Sequence, residues 1–292
     1  MGMEEKITIA IQGGAASFHH QAASQYFSGQ EVGIKECRSF EQVCEALRDT
    51  EVDYAMMAIE NTFTGSLLPN YGLLQKYPFH IIGEQYLHIE QHLMALPGQD
   101  TKDITFVHSH PIALNQCNAY LDQHPHMIAI EKYDTAGSAR DIKEENSMGV
   151  AAIAGIHAAE LYKLEILAYN IENLKRNQTR FLVLSLDGGE TAENPNKASV
   201  CLEAAHKVGS LMEVLQVFHQ HMINITKIQS VPIMGKPYQY QFHLDLEWGE
   251  DTGLDMAMEQ LRACTFSRRI LGKYKKGLRD DDYTNSQQVA AG

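Results

Sequence analysis

The sequence predicts an α/β protein built in two parts, and three observations carry that expectation. From residue 7 to about residue 185, short apolar runs alternate with polar, hydroxyl-rich turns and helix-period segments. From Ala198 onward the order becomes strand, helix, strand, strand, helix, strand, which is the ferredoxin-like βαββαβ unit. Between them lies DGGETAENPNKAS, residues 187–199, whose Gly, Asn and Pro content reads as a linker.

The elements follow in order. Ile7–Ile11 is a strand, and Gly13-Gly14 turns it into a helix running through Ala22, Ala23 and Tyr26. Free N–H groups at that helix start favour an anion, although Gly13-Gly14 is not the G-x-G-x-x-G of dinucleotide sites. Residues 40–49 are amphipathic, with Phe40, Val43, Cys44 and Leu47 on one face. Tyr54–Ile59 is a buried strand ending in Glu60-Asn61-Thr62, with Gly65 and Ser66 beyond. Residues 79–96 read as two strands. The next strand ends in Ser109-His110-Pro111, where a polar N-cap and an early proline start a helix. MIAIE leads likewise into Asp134-Thr135-Ala136-Gly137-Ser138 and a helix, and residues 148–162 give a short strand and an alanine-rich helix. LEILAYNI is a strand, and Thr179-Arg180 precedes the strand Phe181–Leu184. Ligands of open α/β sheets bind at the carboxyl ends of strands, so these turns are expected to face one crevice.

In the second part, Ala198–Ala204 is a strand and Val208–His221 a helix with Leu211, Val214, Leu215 and Phe218 inward. Ile223–Ile228 and the alternating YQYQFHLDLEW are strands. Leu254–Thr265 reads as the second helix and SRRILGKYK as the closing strand. Residues 277–292 read as a frayed polar tail.

A net charge of −13 makes nucleic acid an improbable partner. No run of eighteen apolar residues offers a membrane span. The N-terminal MGMEEK lacks a signal's basic start and long apolar core, and the five cysteines are scattered. Both point to a reducing cytoplasm. Fourteen histidines raise a metal question, but His19-His20, His124-Pro-His126 and His219-Gln-His221 lack helical ligand spacing, so no metal is expected.

IENTFTGSL, VHSHPIALNQC, DTAGSA and NQTRFLVL, in that order, resemble the signature segments of prephenate dehydratases. The following unit, with VGSLMEVLQVFHQHMINITKIQSVP, looks like the ACT regulatory domain those enzymes carry, and the resemblance covers roughly residues 7–275. It implies a two-lobed catalytic domain like a type II periplasmic binding protein over residues 1–187. One lobe would be about 1–82 plus 171–187 and the other about 83–170. A linker at 188–197, an ACT domain at 198–276 and a tail at 277–292 would complete the chain. No chorismate mutase segment is expected before the first strand.

The implied reaction is decarboxylation of prephenate with loss of the ring hydroxyl, giving phenylpyruvate for phenylalanine synthesis. Aromatisation drives it, so no cofactor is expected. The resemblance makes Thr179 the proton donor, and a threonine hydroxyl, being a weak acid, must relay a proton or hydrogen-bond the leaving oxygen. Ser17, Asn61, Thr62, Gly65, Ser66, Ser109, His110, Thr135, Ala136 and Gly137 are the implied substrate contacts. Arg180 can pair with a carboxylate, but strand alternation turns it away from Thr179, which favours a structural salt bridge. Phe181 shares the face of Thr179 and can wall the ring pocket. Glu60 is either a raised-pKa acid or a structural carboxylate, the second being favoured.

There are departures. The family's G-T-F-S is Ala16-Ser17-Phe18-His19 here, and E-N-S is Glu60-Asn61-Thr62. The ACT motif E-S-R-P is Gln229-Ser230-Val231-Pro232, while Gly209-Ser210-Leu211 keeps the partner loop G-A-L. These seven residues are the implied allosteric site for L-phenylalanine in a homodimer or homotetramer. Arogenate dehydratase, and a non-catalytic two-lobed sensor of amino acids, are the alternative readings.

Overall fold

The computed structural model describes residues 6–188, 193–205, 207–233, 235–249 and 253–279. In chain order the elements are β1 (Ile7–Gln12), α1 (Phe18–Tyr26), β2 (Val32–Cys37), α2 (Phe40–Arg48), β3 (Tyr54–Asn61), β4 (Gly65–Ser66), α3 (Leu68–Lys76) and β5 (His80–His88). Next come β6 (His92–Ala95), β7 (Phe106–Ser109), α4 (Pro111–Gln116), α5 (Asn118–Asp122), β8 (Ile128–Glu131), α6 (Thr135–Glu145), β9 (Val150–Ala154), α7 (Ile156–Tyr162), β10 (Glu165–Ala168) and β11 (Gln178–Ser185). The remainder is β12 (Lys197–Ala204), α8 (Ser210–Gln220), β13 (Asn224–Pro232), β14 (Tyr240–Glu247), α9 (Leu254–Gln260) and β15 (Thr265–Tyr274).

Three sheets result. The first is ordered β2-β1-β3-β11-β5, with β4 on β3, and β1 pairs in parallel with β2 and β3. Ile9, Ala10 and Ile11 are all fully buried, as a strand covered on both faces requires. The second sheet is ordered β10-β6-β9-β7-β8. Its residues alternate between two cores: Leu93 and Ala95 join Val107, Leu114 and Ile153 on one face, and Met94 and Leu96 join Ala136, Ala139 and Ala158 on the other. That is the period of two expected of a pleated strand. The third sheet, β13-β14-β12-β15, is antiparallel throughout, and its order with two crossover helices is the ferredoxin-like arrangement. Ala198, Val200 and Leu202 meet Val214, Phe218 and Leu254 in one core.

Contacts divide the chain into two compact units, Met1–Gly65 with Gln85–Phe181, and Ser66–Glu84 with Leu182–Gly292. The second unit therefore takes in α3 and half of β5. Within it the other face of the third sheet is polar and covered: Ser199 donates to Asp245 Oδ1 at 2.6 Å and lies 2.7 Å from the Tyr274 hydroxyl. The His243 ring meets the Tyr71 ring of α3 edge-on at 5.1 Å, and Arg269 Nη2 donates to the carbonyl of Leu74 at 2.6 Å.

Several expectations are corrected. Leu215 is 36% exposed and Val217 takes its place inside, because the helix starts at Ser210 and its buried stripe runs Ser210, Val214, Val217, Phe218. The second helix ends at Gln260, and after a 3₁₀ turn at Leu261–Ala263 Thr265 opens β15, its hydroxyl donating to Leu261 O at 2.6 Å. Lys197 belongs to β12 rather than a linker: its ammonium is buried between Glu84 at 3.0 Å and Glu247 at 3.3 Å. Linker residues 189–192 lie outside the described residues. Of the expected tail, 277–279 is tied down by Gly277 N–H to Glu84 at 2.9 Å and by Arg279 to Glu247 at 3.5 Å, and 280–292 lies outside the described residues.

Candidate active site

The carboxyl end of β3 lies beside the start of β11 in the first sheet. Asn61, the last residue of β3, organises this junction. Its carbonyl accepts the N–H groups of Phe63 at 2.9 Å and Thr64 at 3.1 Å, a local turn of the kind Asn side chains make at strand ends. With the carbonyl so fixed, Nδ2 points across to β11. It donates to Asn177 Oδ1 at 2.8 Å and to Thr179 Oγ1 at 2.9 Å. Gln178 O lies 3.3 Å away as a weaker third acceptor.

Thr179 is only 9% exposed. Its oxygen receives the Asn61 amide, so its own O–H remains available to donate. Donation into the oxygen also polarises that O–H, since linked hydrogen bonds strengthen one another. The neighbouring residue turns the other way, as strand alternation requires. Arg180, 3% exposed, pairs with Glu60 at 3.3 Å, and Glu60 in turn precedes Asn61 on β3. The two strands thus pair twice, Asn61 with Thr179 on one face and Glu60 with Arg180 on the other. Phe181 is buried, and its ring meets the His19 ring edge-on at 5.0 Å, with Phe40 a further 5.4 Å from His19. Burial holds the His19 imidazole down to about 4, so it packs there as a neutral ring.

The remaining expected contacts are placed as follows. Gln178 N–H donates to Thr62 Oγ1 at 2.9 Å, and the hydroxyl donates to Asn177 Oδ1 at 3.2 Å, so Thr62 holds the start of β11. Ser17 caps α1, accepting from His20 N–H at 3.3 Å. Gly65 has φ +76°, the left-handed region that favours glycine, and Ser66 follows it in β4. Ser109 is fully buried and donates to the carbonyl of Ile153 at 2.6 Å. His110 caps α4 through Nδ1, which accepts from Ile112 N–H at 3.2 Å, and burial lowers its pKa.

One expectation changes. The N–H groups of Ala136 and Gly137 at the start of α6 do not wait for a substrate carboxylate, because Asp134 accepts both, at 3.1 and 3.2 Å. The same carboxylate accepts Gly14 N–H at 3.2 Å, which joins the turn after β1 to the turn after β8. Thr135 opens that helix. Two residues escaped the sequence reading. Asn177 is buried and accepts from both Asn61 and Thr62, and its only sequence signal was its place in NQTRF. Asp134 stood in the turn before a helix, and nothing local announced its bond to Gly14.

In the second unit, Ser210 and Leu211 line a cavity of about 190 Å³ with Tyr240, Phe242 and Phe266. Gly209 has φ +87° and precedes α8. Gln229, Ser230, Val231 and Pro232 form the end of β13, the edge strand, with Ser230 opposite Phe242 and Pro232 opposite Tyr240. No cluster of three potential metal ligands occurs among the described residues. No helix among them is long and apolar enough to cross a membrane.

Comparison with known proteins gives consistent matches. The prephenate dehydratase family model matches residues 9–188. The arogenate dehydratase/prephenate dehydratase 1 of Arabidopsis thaliana is 33% identical over 296 residues, covering 95% of this chain and 74% of that protein. The crystal structure of a prephenate dehydratase from Arthrobacter aurescens in complex with L-Phe aligns with a TM-score of 0.82 at 25% identity, covering 98% of this chain and all of that one. GqqA, described as a novel type of quorum quenching acylase, aligns with a TM-score of 0.81 at 28% identity, covering 92% of this chain and 98% of that one.

Proposed function

The chain belongs to the prephenate dehydratase family, and from that premise we infer that it converts prephenate to phenylpyruvate, carbon dioxide and water. The C–C bond to the ring carboxylate breaks, its electron pair enters the ring, and the C–O bond at the opposite ring carbon releases hydroxide. One proton turns that hydroxide into water. Aromatisation supplies the driving force, so the protein's task is to orient the substrate and to give a hydrogen bond or proton to the departing oxygen.

The observation that carries this reading is the 2.9 Å bond from Asn61 Nδ2 to Thr179 Oγ1. It leaves the Thr179 proton facing outward from the pair and lowers the cost of negative charge on Oγ1. A preorganised donor of this kind contributes on the order of 3–4 kcal/mol at a developing oxyanion. Arg180 and Glu60 hold the strand behind it, and Thr62 and Asn177 fix its start. Amide hydrolysis, the kind of reaction an acylase performs, calls for a base beside the nucleophile. The partner of Thr179 Oγ1 is an amide donor instead.

The ferredoxin-like unit is read as an ACT domain that binds L-phenylalanine at the start of α8 and the end of β13, within a cytoplasmic homodimer or homotetramer. The aromatic wall of the 190 Å³ cavity beside Ser210 supports it. Turnover of prephenate beside arogenate, with calorimetric titration of L-phenylalanine, tests both parts. Absence of phenylpyruvate would sink the first, and absence of binding heat the second.

A further inference from the structure

A cavity of about 400 Å³ opens where the turns after β1, β2 and β8 meet. It lies along the same carboxyl-end edge of the first sheet as Asn61, displaced toward β2, and neither Asn61 nor Thr179 lines it. Six formally charged side chains do: Glu36, Arg38, Lys132, Asp134, Arg140 and Asp141. Their formal charges cancel, but their engagements do not. Glu36 Oε1 accepts Ala15 N–H at 2.8 Å. Asp134 accepts three N–H groups, those of Gly14, Ala136 and Gly137. Asp141 is paired with Arg140 at 3.2 Å. Arg38 and Lys132 remain without an ion-pair partner among the described residues. They reach the cavity from opposite sides, Arg38 following β2 of the first sheet and Lys132 following β8 of the second.

An incoming carboxylate therefore meets free donors on both walls. An incoming ammonium meets two like charges, and the Asp134 carboxylate already accepts three N–H groups. A cavity of this size suits a small ligand, and a guanidinium facing an ammonium across it forms a natural receptor for one carboxylate.

Resting on the reading of the chain as a prephenate dehydratase, we propose that Arg38 and Lys132 receive the pyruvyl carboxylate of the substrate and make the enzyme select the keto-acid dianion over its amino-acid analogue. The α-ammonium of arogenate sits beside the corresponding carboxylate, so the same pair of cations repels it. Both residues are specificity determinants that bind, and neither touches the departing hydroxyl.

The test uses Arg38→Gln, Lys132→Gln and the double variant of the full chain. Both positions are exposed, so the fold is retained, which thermal melting verifies. Each single variant is expected to raise KM for prephenate about tenfold or more, the worth of one charge-assisted hydrogen bond, with kcat within about twofold. Arogenate turnover should fall less, narrowing the ratio of the two kcat/KM values. Calorimetric binding of phenylpyruvate, which carries the same side-chain carboxylate, should weaken in parallel. A wild type that turns over prephenate alongside a double variant with unchanged KM and unchanged phenylpyruvate affinity would overturn the proposal alone. A wild type without prephenate turnover would refute the dehydratase reading. The phenylpyruvate titration then decides on Arg38 and Lys132 separately: weaker binding in the double variant upholds their role, and equal binding ends it.

Discussion

Replacing Thr179 by valine removes one hydroxyl and keeps the shape of the side chain. In the native site Asn61 Nδ2 serves Asn177 Oδ1 at 2.8 Å as well as Thr179 Oγ1 at 2.9 Å. In the variant the first bond and the weaker contact to Gln178 O remain, so the amide is not stranded. The structural loss is then one hydrogen bond, about 1 kcal/mol, or a fall in Tm of roughly 2–4 °C for a chain of this size. On the role proposed for Thr179 the chemical loss is larger, because the donor to the departing hydroxide is gone. At about 3–4 kcal/mol this predicts a kcat lowered by two to three orders of magnitude, with KM for prephenate little changed. Steady-state formation of phenylpyruvate, followed by its ultraviolet absorbance, measures both constants. Thr179→Ser restores an O–H and should recover most of the rate. A valine variant that keeps a third or more of the wild-type kcat would refute the role assigned to Thr179.

Three further outcomes follow from the same structure. Lys197→Met leaves the buried Glu84 carboxylate without the ammonium 3.0 Å away, so urea unfolding should show a loss of about 3–5 kcal/mol, and adding Glu84→Leu should recover much of it. His243 is buried, and burial, partly opposed by the nearby Asp245, holds its pKa down to about 4 from 6.5. Below pH 6.5 the unfolded chain takes up a proton that the folded chain refuses, so stability should fall as pH drops from 6.5 toward 4 and level off below, by about 3 kcal/mol. Urea midpoints at pH 7, 5.5 and 4.5 read this, and His243→Phe should flatten the slope, while an unchanged slope would contradict it. A Cβ on Gly272 would overlap the carbonyl of Ile81 on β5, so Gly272→Ala should fail to fold or lose more than about 4 kcal/mol, whereas a soluble variant with native Tm would show that the backbone there is free to shift.

Much of this was legible beforehand, for reasons that differ by residue. The opposite orientation of Thr179 and Arg180 follows from strand alternation alone, and the structure turns them to opposite faces as that rule requires. The βαββαβ unit was legible because its apolar periodicities switch cleanly between 2 and 3.6. The helix stripe lost Leu215 and gained Val217 because Ser210, a polar residue, lies on its buried face. Lys197 was read as linker because a charge before a strand looks solvated, and its burial depends on Glu84, 113 residues away. Comparable separations, 118 and 120 residues, hid Asn61 from Thr179 and Gly14 from Asp134. Ser109 was expected at the crevice, but its hydroxyl donates to a carbonyl of the neighbouring strand β9, a choice no local pattern could reveal. Arg38 and Lys132 carried no motif, and only a cavity in which the neighbouring carboxylates already accept hydrogen bonds singles them out.

The most direct measurement is the product formed when the purified chain meets prephenate at neutral pH, with an enzyme-free blank to subtract spontaneous aromatisation. Phenylpyruvate and carbon dioxide are expected in equal amounts, at a rate that collapses in Thr179→Val and survives in Thr179→Ser. Prephenate recovered unchanged, or product formed equally fast by the valine variant, would contradict that expectation.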